Sequence, residues 1–312
     1  MAHAVDQLFA QWAGPDSPGA SIAVIENGKI IYSKGYGSAN LEYGVPNTPA
    51  TVFDLASVSK QFTAFAIHLL AQDGKLSLDD DVRKYVPRLH DFGKVITIRQ
   101  LLHHTSGVRD HWNLLILAGW RLDDVITDGD VARLLFRQTE LNFAPGDRYL
   151  YSNSDYTLLA MVVKQVSGRT LPEFAKECIF DPLGMSHTHF QNNYGGVVKD
   201  RAYSYARQPD GKYQYVALSS SSLFSAVGDL ARWDENFYTG EVGGPALLAQ
   251  MQEKGKLNNG KEIDYASGLE SVNTVGSGRS STPAAMPHIE LISSDFRTNI
   301  SRSWFSPTRG TT

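Results

Sequence analysis

Ser57 and Lys60 stand three positions apart at the start of an apolar stretch, in FDLASVSKQFTAFAIHLLAQDG (residues 53–74). In a helix, residues three apart lie on the same side, one turn from each other. The spacing therefore brings a hydroxyl and an amine within reach, as a candidate nucleophile and its activator. The alternative is a capping serine followed by a solvated lysine, which a single S-x-x-K motif does not exclude.

Tyr151 and Asn153 form a second polar pair, two positions apart in YLYSNSDY (residues 149–156), just before another apolar helix pattern. A tyrosine acts as a general base only where a nearby cation holds its phenol partly ionised, and Lys60 is a candidate for that cation. The amide of Asn153 can orient both a lysine and a substrate carbonyl. The alternative is an interfacial tyrosine, with Asn153 or Ser154 capping the helix.

Strands and helices have to position these residues. Two β-rich runs around Asn27 and Gly28, in ASIAVIENGKIIYSKGYG, predict an antiparallel hairpin. The Ser57 segment shows helical periodicity and has Gly74 as its predicted cap. The same periodicity recurs in TIRQLLHHTSG, DVARLLFRQ, SDYTLLAMVVKQVSG, LPEFAKECIF, LFSAVGDLARWDENFY and PALLAQMQEK. We expect an α+β fold, an antiparallel sheet flanked by helices, with a mostly helical lobe over about residues 80–200.

Composition narrows the class of function. The 312 residues are 42% hydrophobic, and no apolar run approaches membrane-spanning length. The net charge of −4, with both signs interspersed, offers no basic stripe for nucleic acid or an anionic membrane. We expect a small-molecule substrate and no nucleic-acid or membrane partner. The sequence does not indicate an oligomeric state. The N-terminal residues lack the pattern of a secretory signal, which predicts a cytoplasmic location.

Other reactive side chains suggest no cofactor. The single cysteine, Cys178, lies where helical spacing turns it toward Phe174, so we expect packing rather than a disulfide. The histidine pairs 103–104 and 187–189 lack an H-E-x-x-H arrangement, and no metal site is predicted. The chain has no G-x-S-x-G elbow, which argues against an α/β-hydrolase. Four apolar residues in RDHWNLLILAGW either line a cleft or pack in the core: Trp112, Leu114, Leu115 and Trp120.

S-x-x-K and Y-x-N each occur once, in this order, with distinctive flanks. With them the chain resembles the serine β-lactamase and penicillin-binding-protein superfamily. The resemblance is to its Y-x-N branch, which holds class C β-lactamases, D-alanyl-D-alanine carboxypeptidases, D-aminopeptidases and related esterases. It extends over residues 18–269, through FDLASVSKQFT, LLHHTSG, APGDRYLYSNSDY, LGMSHTHF, LFSAVGDLARW and YASGL.

The resemblance implies catalytic roles for Ser57, Lys60 and Tyr151, and a substrate-binding role for Asn153. Ser57 would form an acyl-enzyme, and its backbone N–H would supply half of an oxyanion hole. Lys60 would take the proton of Ser57 and hold Tyr151 partly deprotonated. Tyr151 would protonate the leaving group and activate the deacylating water, while Asn153 would fix Lys60 and the acyl amide. The implied function is a serine hydrolase acting on an ester, a β-lactam or a D-amino-acid amide or peptide bond.

The C-terminal sequence departs from this family. It divides the chain into a β-lactamase-like serine hydrolase domain over residues 1–269 and an atypical tail over residues 270–312. Family members carry a third motif, K-T-G or H-x-G, on a strand beside the cleft, and neither occurs after residue 269. Half of the 42 residues from Ser271 onward are Ser, Thr, Gly or Pro, which is typical of loops or disorder and leaves the C-terminal strands in doubt.

A frameshift in the gene or its sequence record is one hypothesis for this tail. Shifted codons for RSSTPAAMP can encode V-K-H-A-G-G-N-A, which contains an H-x-G triplet. With the tail as written, the missing motif predicts an impaired enzyme. The alternative function is therefore a non-catalytic or acylation-only ligand binder.

Overall fold

The computed structural model describes residues 1–121, 124–191, 193, 195–216, 223–270 and 289–293, which form an α+β fold. The strands are β1 (Ala20–Glu26), β2 (Lys29–Tyr36), β3 (Ser38–Asn40), β4 (Val45–Pro46), β5 (Phe53–Asp54), β6 (His189–Phe190), β7 (Ser204–Arg207), β8 (Tyr213–Val216), β9 (Leu223–Ser225) and β10 (Ile289–Ser293). The α-helices are α1 (Ala2–Leu8), α2 (Lys60–Gln72), α3 (Ile98–Leu102), α4 (His111–Leu117), α5 (Asp128–Leu135), α6 (Asn153–Ser167), α7 (Leu171–Ala175), α8 (Val227–Thr239) and α9 (Gly244–Met251).

The predicted hairpin is confirmed as β1 and β2, which pair in antiparallel register. Asn27 and Gly28 turn the chain with positive φ angles of 53° and 74°, as a two-residue hairpin turn requires. Successive side chains of a strand point to opposite faces, so β1 serves two clusters. Ile22 packs with Val5 of α1, whereas Ala23 belongs to the main core.

Helix α2 lies at the centre of the main core and contacts α6, α7 and α9. Burial extends around most of its circumference: ten of its thirteen residues are buried, more than the single apolar face predicted from the sequence. Gly74, with φ of 68°, follows its C-terminus as predicted. No helix in the described ranges is both long enough and apolar enough to cross a bilayer.

Two predicted helices differ from the structure. In LFSAVGDLARWDENFY, residues Leu223–Ser225 form strand β9, and α8 begins only at Val227. Strand β9 lies between β5 and β6 in a three-stranded sheet, and all three of its residues are buried. Pairing on both sides therefore outweighs the local helical pattern. In LPEFAKECIF, α7 ends at Ala175 and a π-helical turn continues to Phe180.

The segment RDHWNLLILAGW forms α4, an element that the sequence did not predict. Leu115 is buried and Trp112 packs partly buried against the main core. Trp120 is 36% exposed. Packing is thus the role of Leu115 and Trp112. Cys178 is free and also packs partly buried against the core, as predicted.

Six residues of the tail are described, Glu270 and Ile289–Ser293. Ile289–Ser293 forms β10, which pairs antiparallel with β1 so that Val24 faces Ile289 and Ala20 faces Ser293. The central sheet therefore has the order β10-β1-β2. The rest of the tail from Ser271 onward, on which the frameshift and disorder hypotheses depend, lies outside the described residues.

Candidate active site

Ser57 lies on a sharp turn between a strand and a helix. Strand β5 ends at Asp54, a 3₁₀ turn spans Ala56–Ser59, and α2 begins at Lys60. Ala56 has a positive φ of 44°, a conformation that is uncommon for a residue other than glycine. Its N–H donates to Asp54 Oδ1 over 2.9 Å. The turn presents Ser57 to solvent directly above a buried helix.

Lys60 Nζ contacts two of the predicted residues at once. It donates to Ser57 Oγ over 3.0 Å and to Asn153 Oδ1 over 2.9 Å. Burial lowers the pKa of Lys60 to about 8, against the opposing effect of the Asp110 and Asp155 carboxyl groups. A sizeable fraction of this amine is therefore neutral close to physiological pH, as a general base requires.

Tyr151 reaches the same oxygen from a separate segment. Its hydroxyl donates to Ser57 Oγ over 2.7 Å, and Lys60 Nζ lies 4.9 Å from the centre of its ring. Burial raises the pKa of Tyr151 to about 12, although the hydrogen bond with Ser57 lowers it. The expectation of a partly deprotonated Tyr151 does not agree with this environment. At neutral pH the side chain is a phenol and can act as an acid.

Asn153 is the first residue of α6 and Ser152 is its N-cap residue, so neither Asn153 nor Ser154 occupies the cap position. The Asn153 backbone N–H and side-chain Nδ2 donate to the same oxygen of Asp110, over 2.6 and 2.8 Å. These contacts turn the amide oxygen toward Lys60. The side chain of Asp110 also caps α4, because its Oδ1 accepts the N–H of Asn113.

Sequence reasoning missed Asp110 because its role depends on α6, 43 residues further along the chain. One local signal could have drawn attention to it. An aspartate directly before an apolar helical pattern is a typical N-cap residue. That signal would have identified the α4 cap, but not the contact with Asn153.

A buried cluster lies behind Tyr151, and the sequence did not predict it. His104 and Asp155 have no exposed side-chain surface, and His104 Nδ1 lies 3.0 Å from Asp155 Oδ2. His104 Nε2 lies 3.2 Å from the Tyr265 hydroxyl. Burial lowers the pKa of His104 to about 3 and raises that of Asp155 well above its usual value. The His104 ring centre is 4.4 Å from that of Tyr151.

The YASGL segment closes the site from another side. A Cβ atom at Gly268 would lie 2.8 Å from the backbone nitrogen of Gln61, and φ there is +75°. Glycine is therefore required for this segment to approach the first turn of α2. The approach places Tyr265 against His104, with 4.7 Å between the ring centres.

A cavity of about 630 Å³ opens beside these aromatic residues. Tyr149 and Tyr265 form part of its wall, with 5.8 Å between their ring centres, and Arg148, Lys261 and Glu270 add charge. Ser57, Lys60, Tyr151 and Asn153 are not among the residues that line it. In the described ranges, no group of three or more His, Cys, Asp or Glu side chains is placed to hold a metal ion.

The structure thus brings together all four residues predicted from the sequence. The Lys60 amine and the Tyr151 phenol both hydrogen-bond to the exposed hydroxyl oxygen of Ser57. The Asn153 amide in turn hydrogen-bonds to the Lys60 amine. Such an arrangement can activate a nucleophile and protonate a leaving group within one site.

Comparison with known proteins points to the same family. The sequence matches the family described as Beta-lactamase over residues 5–279. Penicillin-binding protein 4* of Bacillus subtilis (strain 168) is 31% identical over 278 residues, which is 83% of this chain and 61% of that protein. D-aminopeptidase of Gluconobacter oxydans (strain 621H) is 30% identical over 248 residues, 80% of this chain and 43% of that protein. The chain therefore spans less than two thirds of the length of these relatives.

Similarity in three dimensions agrees with the sequence match. The octameric penicillin-binding protein homologue from Pyrococcus abyssi superposes with a TM-score of 0.71 and 28% identity. The superposition covers 86% of this chain and 63% of that one. These findings confirm the predicted resemblance and the predicted α+β fold. The chain belongs to the β-lactamase family.

Proposed function

We propose that the protein is a serine hydrolase that forms an acyl-enzyme on Ser57. Its substrate is an ester, a β-lactam or a D-amino-acid amide or peptide. One observation carries the proposal: Lys60 Nζ and the Tyr151 hydroxyl both lie within hydrogen-bonding distance of Ser57 Oγ, at 3.0 and 2.7 Å. A base and an acid on one nucleophile are what acyl transfer requires.

Acylation begins when neutral Lys60 accepts the proton of the Ser57 hydroxyl. The oxygen attacks the substrate carbonyl carbon, and the carbonyl oxygen becomes an oxyanion. The backbone N–H of Ser57 supports that charge. When the bond to the leaving group breaks, Tyr151 donates its proton to the departing atom. Lys60 then returns the proton to the phenolate oxygen of Tyr151, because both side chains lie beside Ser57 Oγ, at 3.0 and 2.7 Å.

Deacylation uses the same residues in reverse. Water attacks the acyl carbonyl and gives a proton to the Tyr151 oxygen as Tyr151 passes its own proton to neutral Lys60. The ester bond to Ser57 breaks, and Ser57 Oγ regains a proton as the acid product leaves. No cofactor takes part in either half of this scheme.

Asn153 connects the catalytic groups to the substrate. Its amide oxygen accepts from Lys60, and one N–H of Nδ2 is donated to Asp110. A primary amide has two such hydrogens. We assign the second to the acyl-side carbonyl of the substrate, which supports the substrate-binding role.

A second candidate function follows from the missing third motif. Neither K-T-G nor H-x-G occurs after residue 269. Without a second oxyanion donor, the protein would acylate Ser57 and release product slowly. It would then be an acylation-only ligand binder, and its activity would be impaired.

The proposal is tested with a p-nitrophenyl ester, a chromogenic cephalosporin and a D-aminoacyl p-nitroanilide. Wild type is compared with Ser57→Ala, and the Ser57 peptide is analysed by mass spectrometry after brief reaction. The hydrolase is supported if wild type turns over a substrate, Ser57→Ala does not, and the Ser57 peptide of wild type gains the mass of the acyl group. Stoichiometric acylation without turnover supports the binder. Turnover that survives Ser57→Ala contradicts both.

A further inference from the structure

The buried pair of His104 and Asp155 has no part in the mechanism described above. Both side chains are fully buried, and they belong to different segments, 51 residues apart. A buried acid beside a buried base is costly unless each proton has a definite place. The contacts around the pair determine where those protons lie.

Nδ1 of His104 faces two groups. The backbone N–H of Ser152 is directed at it over 3.2 Å, and Asp155 Oδ2 lies 3.0 Å away. A backbone N–H can only donate, so Nδ1 has to be an acceptor. A proton on Nδ1 would instead place the ring N–H face to face with the N–H of Ser152. With Nδ1 as acceptor, a carboxylate oxygen at 3.0 Å would place two acceptors face to face unless that oxygen carries a proton.

The other oxygen of Asp155 is already an acceptor. Ser106 Oγ donates to Oδ1 over 2.6 Å, and Ser106 Oγ itself accepts the N–H of Val108 over 3.0 Å. The hydroxyl proton of Ser106 is thus directed at Oδ1. The proton of the carboxyl group therefore belongs on Oδ2, which faces His104.

The far side of the imidazole agrees with this assignment. With Nδ1 unprotonated, the neutral ring carries its hydrogen on Nε2 and donates it to the Tyr265 hydroxyl over 3.2 Å. Tyr265 in turn has a hydrogen bond with Tyr156, whose hydroxyl donates to the carbonyl of Leu102 over 3.0 Å. Every hydroxyl in this chain of contacts then donates in the same direction.

We propose that Asp155 is a neutral carboxylic acid that donates to His104, and that these two residues position the Tyr151 ring beside Ser57. Two contacts transmit the effect. The His104 ring lies 4.4 Å from the Tyr151 ring, between centres, and its Nδ1 holds the backbone of the neighbouring Ser152. The inference rests on the proposed function, because Tyr151 matters only if Ser57 is the nucleophile.

A neutral Asp155 also affects the charge around Lys60. The titratable groups that face this cluster are Lys60, His103, Asp110, Tyr149, Tyr151, Tyr156 and Tyr265. An ionised Asp155 would raise the pKa of Lys60 and so favour the charged form of its amine. When Asp155 is neutral, Asp110 is the one carboxylate among the groups named above that lies near the Lys60 amine. The same burial that keeps Asp155 protonated therefore favours Lys60 as a base.

The test compares Asp155→Asn with Asp155→Leu. An asparagine amide can donate to His104 and accept from Ser106 in the same directions as the neutral acid. Asp155→Leu should lower kcat/KM for a p-nitrophenyl ester by roughly tenfold or more, and Asp155→Asn should restore most of that loss. Asp110→Asn is the matched control, because Asp110 accepts only N–H groups in the contacts described, and it should stay impaired.

An infrared difference spectrum, wild type minus Asp155→Asn, reports the proton directly and does not depend on activity. We expect the carbonyl band of a protonated carboxylic acid at pH 7. A carboxylate band in its place would overturn the inference, as would an Asp155→Asn variant no more active than Asp155→Leu. If Asp155→Leu does not fold, the spectrum decides alone.

The two proposals can fail separately. A fluorophosphonate reagent should label Ser57 in wild type, as mass spectrometry would show. Unlabelled Ser57 contradicts the proposed function even where the acid band is present. Labelled Ser57 with a carboxylate band contradicts only the inference about Asp155.

Discussion

One oxygen of Asp110 holds Asn153 by both its backbone N–H and its side-chain N–H, at 2.6 and 2.8 Å. This double contact fixes the rotation of the amide. With Nδ2 committed to Asp110, the amide oxygen faces Lys60 and accepts its N–H at 2.9 Å. The residue that caps α4 therefore also orients the hydrogen-bond partner of the Lys60 amine.

We expect Asp110→Asn to lower kcat/KM for an ester by roughly 10- to 100-fold, the effect of losing a charge-assisted hydrogen bond. Asparagine is as good an N-cap as aspartate, so α4 should keep its cap. The loss would therefore come from Asn153. Steady-state kinetics measures the effect, and thermal unfolding is the control. A large fall in unfolding temperature would contradict this explanation.

Acylation should depend on pH through Lys60. Its pKa of about 8 means that the neutral, basic form increases as pH rises through that value. We predict that kcat/KM for an ester rises with pH and levels off above about pH 9. The pH dependence of fluorophosphonate labelling should follow the same curve. A rate that falls over this range would contradict the role of Lys60 as base.

Tyr151→Phe keeps the ring against His104 but removes the acid. We expect kcat to fall roughly 10²-fold or more for a D-aminoacyl p-nitroanilide, whose leaving group needs a proton. A p-nitrophenyl ester, with a better leaving group, should be affected less during acylation. Pre-steady-state kinetics separates the two steps. Equal losses in acylation of both substrates would argue against Tyr151 as the acid.

The buried amine of Lys60 should also lower the free energy of unfolding of the protein. Its pKa falls from 10.5 in the unfolded chain to about 8 in the folded protein. Between these values the unfolded state binds more protons, so the free energy of unfolding rises with pH. We expect Lys60→Met to have a higher free energy of unfolding than wild type. This difference should decrease between pH 8 and pH 10.5, by up to about 3 kcal/mol. Urea unfolding at pH 7 and 10 measures it, and exposed Lys94→Met, which should show no such change, is the control.

Buried histidines should make the protein sensitive to acid. His68 lies 2.9 Å from Ser267 Oγ through Nε2, and burial lowers its pKa to about 4. Below pH 6.5 the unfolded chain takes up a proton that the folded chain excludes, so stability falls as pH falls. His68→Gln should reduce the loss between pH 7 and 4.5 by about 2–3 kcal/mol in urea unfolding. The exposed His3→Gln variant is the control, and equal slopes for all three proteins would refute the prediction.

Local spacing was sufficient to predict part of this site. Ser57 and Lys60 are three residues apart, and helical geometry alone predicts their contact. Tyr151 lies 94 residues from Ser57, and only the family resemblance suggested that the two meet. The protonation of Tyr151 was not predictable, because it depends on burial by segments distant in the sequence.

Tertiary contacts account for what the sequence did not predict. His104 and Asp155 are 51 residues apart, and neither their spacing nor their neighbours indicate a pair. Strand β9 was predicted as the start of a helix because its two partners, β5 and β6, come from distant parts of the chain. The hairpin of β1 and β2 was predictable because Asn27 and Gly28 act locally.

The methyl group of Ala56 carries the steric cost of the positive φ at the residue before Ser57. Glycine adopts a φ of 44° without the steric cost that alanine bears, on the order of 1 kcal/mol. Directed evolution for thermostability in this scaffold would therefore favour glycine at this position. The same change would loosen the residue before Ser57, so selection for turnover would favour alanine again. Laboratory lineages selected under the two pressures should diverge at this codon.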